Sequence, residues 1–154
     1  MPQFDEVDLD ITNVAHGGVF VARHEGRVVF VPDTLPGERI RARITDRKHD
    51  RFWRAETLEV LDAAPERQPH IWDAASVDLD PGERAGGAEF GHIRLDHQRE
   101  LKRRVLTDAL SRMAELDSDV VVEPVAGETR DGTGWRTRVR LQVDAAGAVG
   151  PFAS

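Results

Sequence analysis

The chain has 154 residues, 40% hydrophobic and 32% charged, enough for a core in one ordinary domain or two small ones. Its 19 Arg and 2 Lys face 28 acidic residues for a net −7, so overall charge does not by itself mark a nucleic-acid binder. The lack of any cysteine excludes disulfide scaffolds, thiolate metal centres and cysteine nucleophiles, and no apolar run approaches the roughly 18 residues of a membrane span.

The amino terminus, MPQFDEVDLD, is acidic where a secretory leader is basic and then apolar. A soluble, cytoplasmic chain is expected. Residues 1–62 read as short strands. Val7, Leu9 and Ile11 alternate with acids, the period of a half-buried strand. Gly17-Gly18 makes a reversal, because two glycines tolerate positive φ. Val19–Arg23 and Arg27–Val31 follow as strands joined by a hairpin at His24-Glu25-Gly26. After the turn cluster Pro32–Gly37, Arg39, Arg41 and Arg43 alternate with Ile40, Ala42 and Ile44, giving a strand with one basic and one apolar face. A fifth strand covers Phe52–Leu61. Five short strands predict a small closed or nearly closed barrel, since closure removes exposed edges.

Ala63–Pro69 reads as a linker, and residues 70–94 lack periodicity and are expected to be irregular. From 96 to 116 the period turns helical. Leu101, Val105, Leu106, Ala109, Leu110, Met113 and Leu116 share one face, and Asp96 is placed to cap it. Asp119–Val125 and Trp135–Val143 read as two more strands. Residues 63–154 thus predict part of an α+β domain rather than a finished one, after a β-rich first domain.

Catalytic signatures are missing: there is no P-loop, no G-x-G-x-x-G after a strand, no G-x-S-x-G and no H-E-x-x-H. His16, His24, His49, His70, His92 and His97 show no ligand spacing and read as ordinary turn or surface residues. No metal site is expected. The basic stretch says more. Between Arg39 and Arg54, Arg39, Arg41, Arg43, Arg47, Lys48, Arg51 and Arg54 face only Asp46 and Asp50, a local charge of +5. Guanidinium groups hold phosphate bidentately, and the adjoining Phe52 and Trp53 offer rings on which bases stack. The alternative is a solvated arginine face. A second cluster, Trp135–Leu141, places Arg136, Arg138 and Arg140 on one side of a strand.

These pieces together resemble the amino-terminal half of the S-adenosylmethionine-dependent RNA uracil-5-methyltransferases. His16-Gly17-Gly18 with Val21-Ala22-Arg23, then Val29-Phe30-Val31 and Leu35–Ile40, look like the TRAM domain, an OB-like barrel that those enzymes use on RNA. Gln98, Lys102, Val105 and Leu110 resemble the helix after the family's cysteine cluster. Trp135-Arg136-Thr137-Arg138 is similar to its aromatic-Arg-Asn-Lys/Arg motif, with Thr137 in place of Asn. The resemblance implies RNA (ribosomal or transfer) as partner, bound weakly by this portion, with neither DNA nor membrane. It implies S-adenosylmethionine as methyl donor for a full-length parent.

Two departures bear on chemistry. Many family members hold an iron–sulfur cluster through cysteines near a Pro-His and in a Cys-Gly-Gly-Cys. Here Gln68 precedes Pro69-His70, and Ala85-Gly86-Gly87-Ala88 replaces the second motif, so no such cluster is expected. A dry or hydrogen-bonded loop is expected instead, with residues 71–88 loosely ordered. The family's donor pocket, nucleophilic cysteine and general base belong to a carboxy-terminal Rossmann-like domain, and these 154 residues show no repeat of that kind. No catalytic residue is therefore assigned. The chain reads as the RNA-binding amino-terminal piece of such an enzyme, inactive alone. Its RNA-contacting residues are expected to be Arg39, Arg41, Arg43, Arg47, Lys48, Arg51, Trp53, Arg136 and Arg138. A free-standing OB-like RNA-binding protein and a protein–protein interaction module are the alternatives.

Overall fold

A computed structural model of the chain describes residues 5–151. Strands β1 (Glu6–Val14), β2 (Phe20–His24), β3 (Arg27–Val31), β4 (Arg39–Asp46) and β5 (Phe52–Asp62) form a closed barrel in the order β1-β2-β3-β5-β4. All neighbours are antiparallel except β3 and β5, which run parallel with Val29 opposite Trp53. β1 closes the barrel by pairing on both sides, Ile11 with Ala22 and Leu9 with Ile40. The register slips between Ile11 and Asn13, a bulge of the kind that bends a strand from one neighbour to the next.

Alternation decides what fills the interior. Leu9, Ile11, Ala22, Val29, Ile40, Ala42, Ile44 and Ala55 are buried, and alanine at three of these positions suits a barrel of only five strands. Arg39, Arg41 and Arg43 lie on the outer side of β4, as its alternation predicts.

The core continues past Asp62. Ala64, Ile93 and Leu101 belong to the same buried cluster, with Phe90 and Val105 packed against it. The Phe90 and His92 rings sit 5.9 and 6.2 Å from the Phe20 ring and close that end of the barrel. Two glycines permit this approach. A Cβ on Gly18, at φ +80, would lie 2.8 Å from the Glu89 Cβ, and one on Gly91 would lie 2.4 Å from the His70 ring.

Residues 70–94 are irregular apart from short 3-10 turns at Asp73–Ala75 and Pro81–Glu83, but residues 71–88 are not loose. Arg84, only 1% exposed, donates to the Asp33 carboxylate (3.0 Å) and to the carbonyls of Val77 (2.8 Å) and Leu79 (2.9 and 3.0 Å). The buried Glu38 carboxylate accepts from Arg67 at 2.5 and 2.8 Å and from the Leu35 and Ala64 amides. A buried guanidinium and a buried carboxylate must both be answered, and the loop folds so that they are.

Helix α1 (Leu95–Ala114) begins one residue before the expected start. Arg94, not Asp96, is the N-cap. Asp96 lies in the first turn and accepts from the amide of its neighbour His97, while Gln98 donates to the carbonyls of Phe90 and Ile93. Only Leu101 of the helix is fully buried; Leu106 and Leu116 are exposed, and Met113 is 85% exposed.

The two strands expected at Asp119–Val125 and Trp135–Val143 do not form. Among the described residues only β6 (Gln142–Val143) and β7 (Val149–Gly150) pair there. Val121, Val125, Trp135, Val139 and Leu141 are exposed. An alternating segment becomes a strand only with a neighbour to bond and a core to cover, and these residues have neither.

Candidate nucleic-acid interface

The basic residues split into two groups with different electrostatics. On the outer face of β4 every arginine is answered by acids from the flanking strands. Asp8 of β1 lies 3.5 Å from Arg39 and 3.2 Å from Arg41, and Glu59 of β5 lies 3.9 Å from Arg41. Arg43 meets Glu56 at 3.0 Å and Glu6 at 3.6 Å. The cause is register: β1 and β5 place acids directly beside the β4 arginines, as in Asp8↔Arg41, Glu6↔Arg43 and Glu59↔Arg41. Each exposed pair contributes little to stability, but four carboxylates stand beside the three guanidiniums. A phosphate approaching Arg41 competes with the Asp8 carboxylate beside it.

The second group lies where β2 turns into β3 and β4 into β5. This is the barrel end opposite Phe20, since β2 runs from Phe20 to His24 and β5 begins beside Val28. Trp53 organises it. The Arg27 and Arg47 guanidinium carbons stand 4.9 and 4.6 Å from the centre of its ring, and the His24 ring 6.2 Å away. Trp53 is only 6% exposed. Two guanidiniums lie over its ring, so little of the ring face is open to a base. Arg47 pairs with Asp5 at 2.6 Å. Arg27, Lys48 and Arg51 carry no carboxylate partner among the described residues.

The structure thus brings Arg47, Lys48, Arg51 and Trp53 together at one barrel end and leaves Arg39, Arg41 and Arg43 in an ion-paired face beside it. Arg136 and Arg138 lie apart, in the exposed segment after α1, where Arg136 stacks on Trp135 at 4.9 Å. Sequence reasoning missed Arg27, whose link to Trp53 depends on the parallel β3–β5 pairing, and it set His49 aside as an ordinary surface residue. His49 instead stacks on Phe52 with ring centres 4.3 Å apart and planes 17° apart.

The Gln68–Ala88 loop does not suit an iron–sulfur centre. Gln68, Ala85 and Ala88 offer no thiolate. His70 is already engaged at both ring nitrogens: Nε2 lies 3.1 Å from the Ala88 carbonyl, and Nδ1 accepts from the Trp72 amide at 2.9 Å. Among the described residues, no three His, Asp or Glu side chains gather as a metal site.

Comparison with known proteins places this barrel. The TRAM domain model matches residues 3–58. The chain carries a TRAM domain. It is 38% identical over 156 aligned positions to an uncharacterized RNA methyltransferase of Streptomyces avermitilis, covering 95% of this chain and 35% of that protein. An uncharacterized RNA methyltransferase of Bifidobacterium longum is 34% identical, covering 90% of this chain and 32% of the relative. The 23S rRNA (uracil(1939)-C(5))-methyltransferase RlmD of Shewanella amazonensis is 33% identical, covering 88% and 28% respectively. The chain spans about a third of the length of the curated relatives it matches, and it corresponds to their amino-terminal part. The TRAM barrel and the residues after it are therefore homologous to one continuous stretch of these proteins.

Proposed function

We propose that the chain is the RNA-binding amino-terminal portion of an S-adenosylmethionine-dependent RNA (uracil-5)-methyltransferase, with ribosomal or transfer RNA as substrate, working in the cytoplasm. The observation that carries this is the barrel end around Trp53, where Arg27, Lys48 and Arg51 lack carboxylate partners among the described residues, on a chain whose net charge is −7. A cationic end on an OB-like barrel suits a phosphate backbone, held by position rather than by reading bases. Arg47 joins it by giving up Asp5. Arg136 and Arg138 would extend the contact from the second segment.

Methylation at uracil C5 proceeds by covalent attack on the ring, and these residues supply no cysteine to make it. This portion therefore binds and orients, and methyl transfer lies with a catalytic domain of the parent enzyme. The exposed Leu106, Met113, Val121, Trp135 and Val139 support reading residues 63–154 as part of a larger α+β domain, because apolar side chains of this number are normally covered. Among the described residues no helix is long and apolar enough to cross a membrane.

The test is titration of a labelled single-stranded RNA at several salt concentrations. Four phosphate contacts predict a log–log slope near −3, at about −0.7 each, with affinity of roughly micromolar or weaker at physiological salt. Absence of binding at low salt overturns the proposal.

A further inference from the structure

The outer side of the β3–β5 seam carries an aromatic group that the phosphate contact does not use. Inward-facing Val29 and Trp53 alternate with Val28, Phe30, Phe52 and Arg54, which face outward. Phe30 and Phe52 meet edge to face with ring centres 5.6 Å apart. Both are only half-buried, although phenylalanines on an outer sheet face have no polar atom to justify exposure. The free face of Phe52 is occupied by the His49 imidazole, nearly parallel to it at 4.3 Å. His49 is exposed and comes from the same β4–β5 connection as Lys48 and Arg51.

A flat heteroaromatic ring parallel to Phe52, with Lys48 and Arg51 beside it in sequence and without carboxylate partners among the described residues, has the arrangement that an unpaired nucleobase and its phosphates would take. We propose that Phe30, Phe52 and His49 form a stacking site for one unpaired base of a single-stranded segment, with the base stacking on the His49–Phe52 pair or replacing the imidazole on Phe52. Lys48 and Arg51 hold the adjoining phosphates. The site takes any base, because stacking uses the ring face and no donor or acceptor. This inference rests on RNA being the ligand of the barrel, and it adds a contact that electrostatics alone does not supply.

The experiment compares two RNA oligomers of equal length and charge, oligouridylate and its fully abasic ribose-phosphate counterpart, titrated against the full chain at one low salt concentration. Stacking of one base predicts that the abasic oligomer binds roughly 5- to 100-fold more weakly. In the double variant His49→Ala/Phe52→Ala the two oligomers should bind within about 3-fold of each other. Phe52→Leu, which keeps an apolar side chain on the sheet, should lose the same discrimination and guards against unfolding of the double variant. Equal binding of both oligomers by the unaltered chain refutes the stacking site and leaves RNA binding standing. No binding of either oligomer overturns the RNA reading and this inference with it.

Discussion

Arg84 Nη1 stands 3.0 Å from Asp33 Oδ2 across 51 residues of sequence, joining the irregular loop to the turn that follows β3. The Asp33 side chain is 15% exposed and that of Arg84 only 2%, so this pair is worth far more than a surface ion pair when one partner is removed. Together with Arg67 and Glu38 it makes the loop part of the barrel's own fold.

Arg84→Met is predicted to destabilise the chain by about 2–4 kcal/mol, because it strands the Asp33 carboxylate and the Val77 and Leu79 carbonyls. Urea unfolding checks the size of the loss, and limited proteolysis between residues 70 and 90 checks its location. A midpoint unchanged from that of the unaltered chain would show the guanidinium to be a passenger.

The same account makes the loop independent of metal. Chelator treatment should leave the thermal midpoint unchanged within about a degree, and purified protein should carry no stoichiometric iron. Gly91→Ala, in contrast, should cost about 1–3 kcal/mol by overpacking: the new methyl would meet a His70 ring fixed at both nitrogens.

Stability should fall with acid before the carboxylates titrate. Burial, reinforced by Arg67 and His70 and opposed by the bond to Thr34, lowers the His92 pKa to about 3. Its Nε2 donates to the Thr34 carbonyl at 2.8 Å, and its Nδ1 has no partner among the described residues. Below pH 6.5 the unfolded chain takes up a proton that the folded chain refuses, so stability is fully present above pH 6.5 and declines towards pH 3. By pH 4.5 the loss should reach about 2–3 kcal/mol. Below that, Glu100 adds to the decline, since Arg103 and Arg104 hold its carboxyl below the usual range. His92→Gln keeps an N–H donor for Thr34 and should flatten the profile between pH 6.5 and 4.5 in urea unfolding series. An unchanged profile would place the acid sensitivity elsewhere.

The barrel was legible because its signals are local. Period-two alternation in β1 and β4 and glycines at the turns mark strands without reference to their neighbours. Helix α1 was legible for the same reason, although its cap was not, because Gln98 reaches back to Phe90 and Ile93 from inside the helix. What sequence could not show is pairing. Alternation marks Arg39, Arg41 and Arg43 as one basic face, but not that register sets Asp8, Glu56 and Glu59 beside it. Nor does it show that a parallel strand brings Arg27 to the Trp53 ring. The strands expected beyond residue 117 failed in the opposite way, with the pattern present and the partners missing.

The central claim is that RNA meets the Trp53 end of the barrel and not the ion-paired β4 face. It is tested most directly by measuring the salt dependence of single-stranded RNA binding for two triple variants beside the unaltered chain. Arg27→Ala/Lys48→Ala/Arg51→Ala should reduce the magnitude of the log–log slope by about 2, at about 0.7 per lost contact, and should weaken binding at every salt concentration. Arg39→Ala/Arg41→Ala/Arg43→Ala should leave the slope within about 0.5 of the original, because those guanidiniums are already neutralised. A slope that collapses in the second variant and survives in the first would contradict the account.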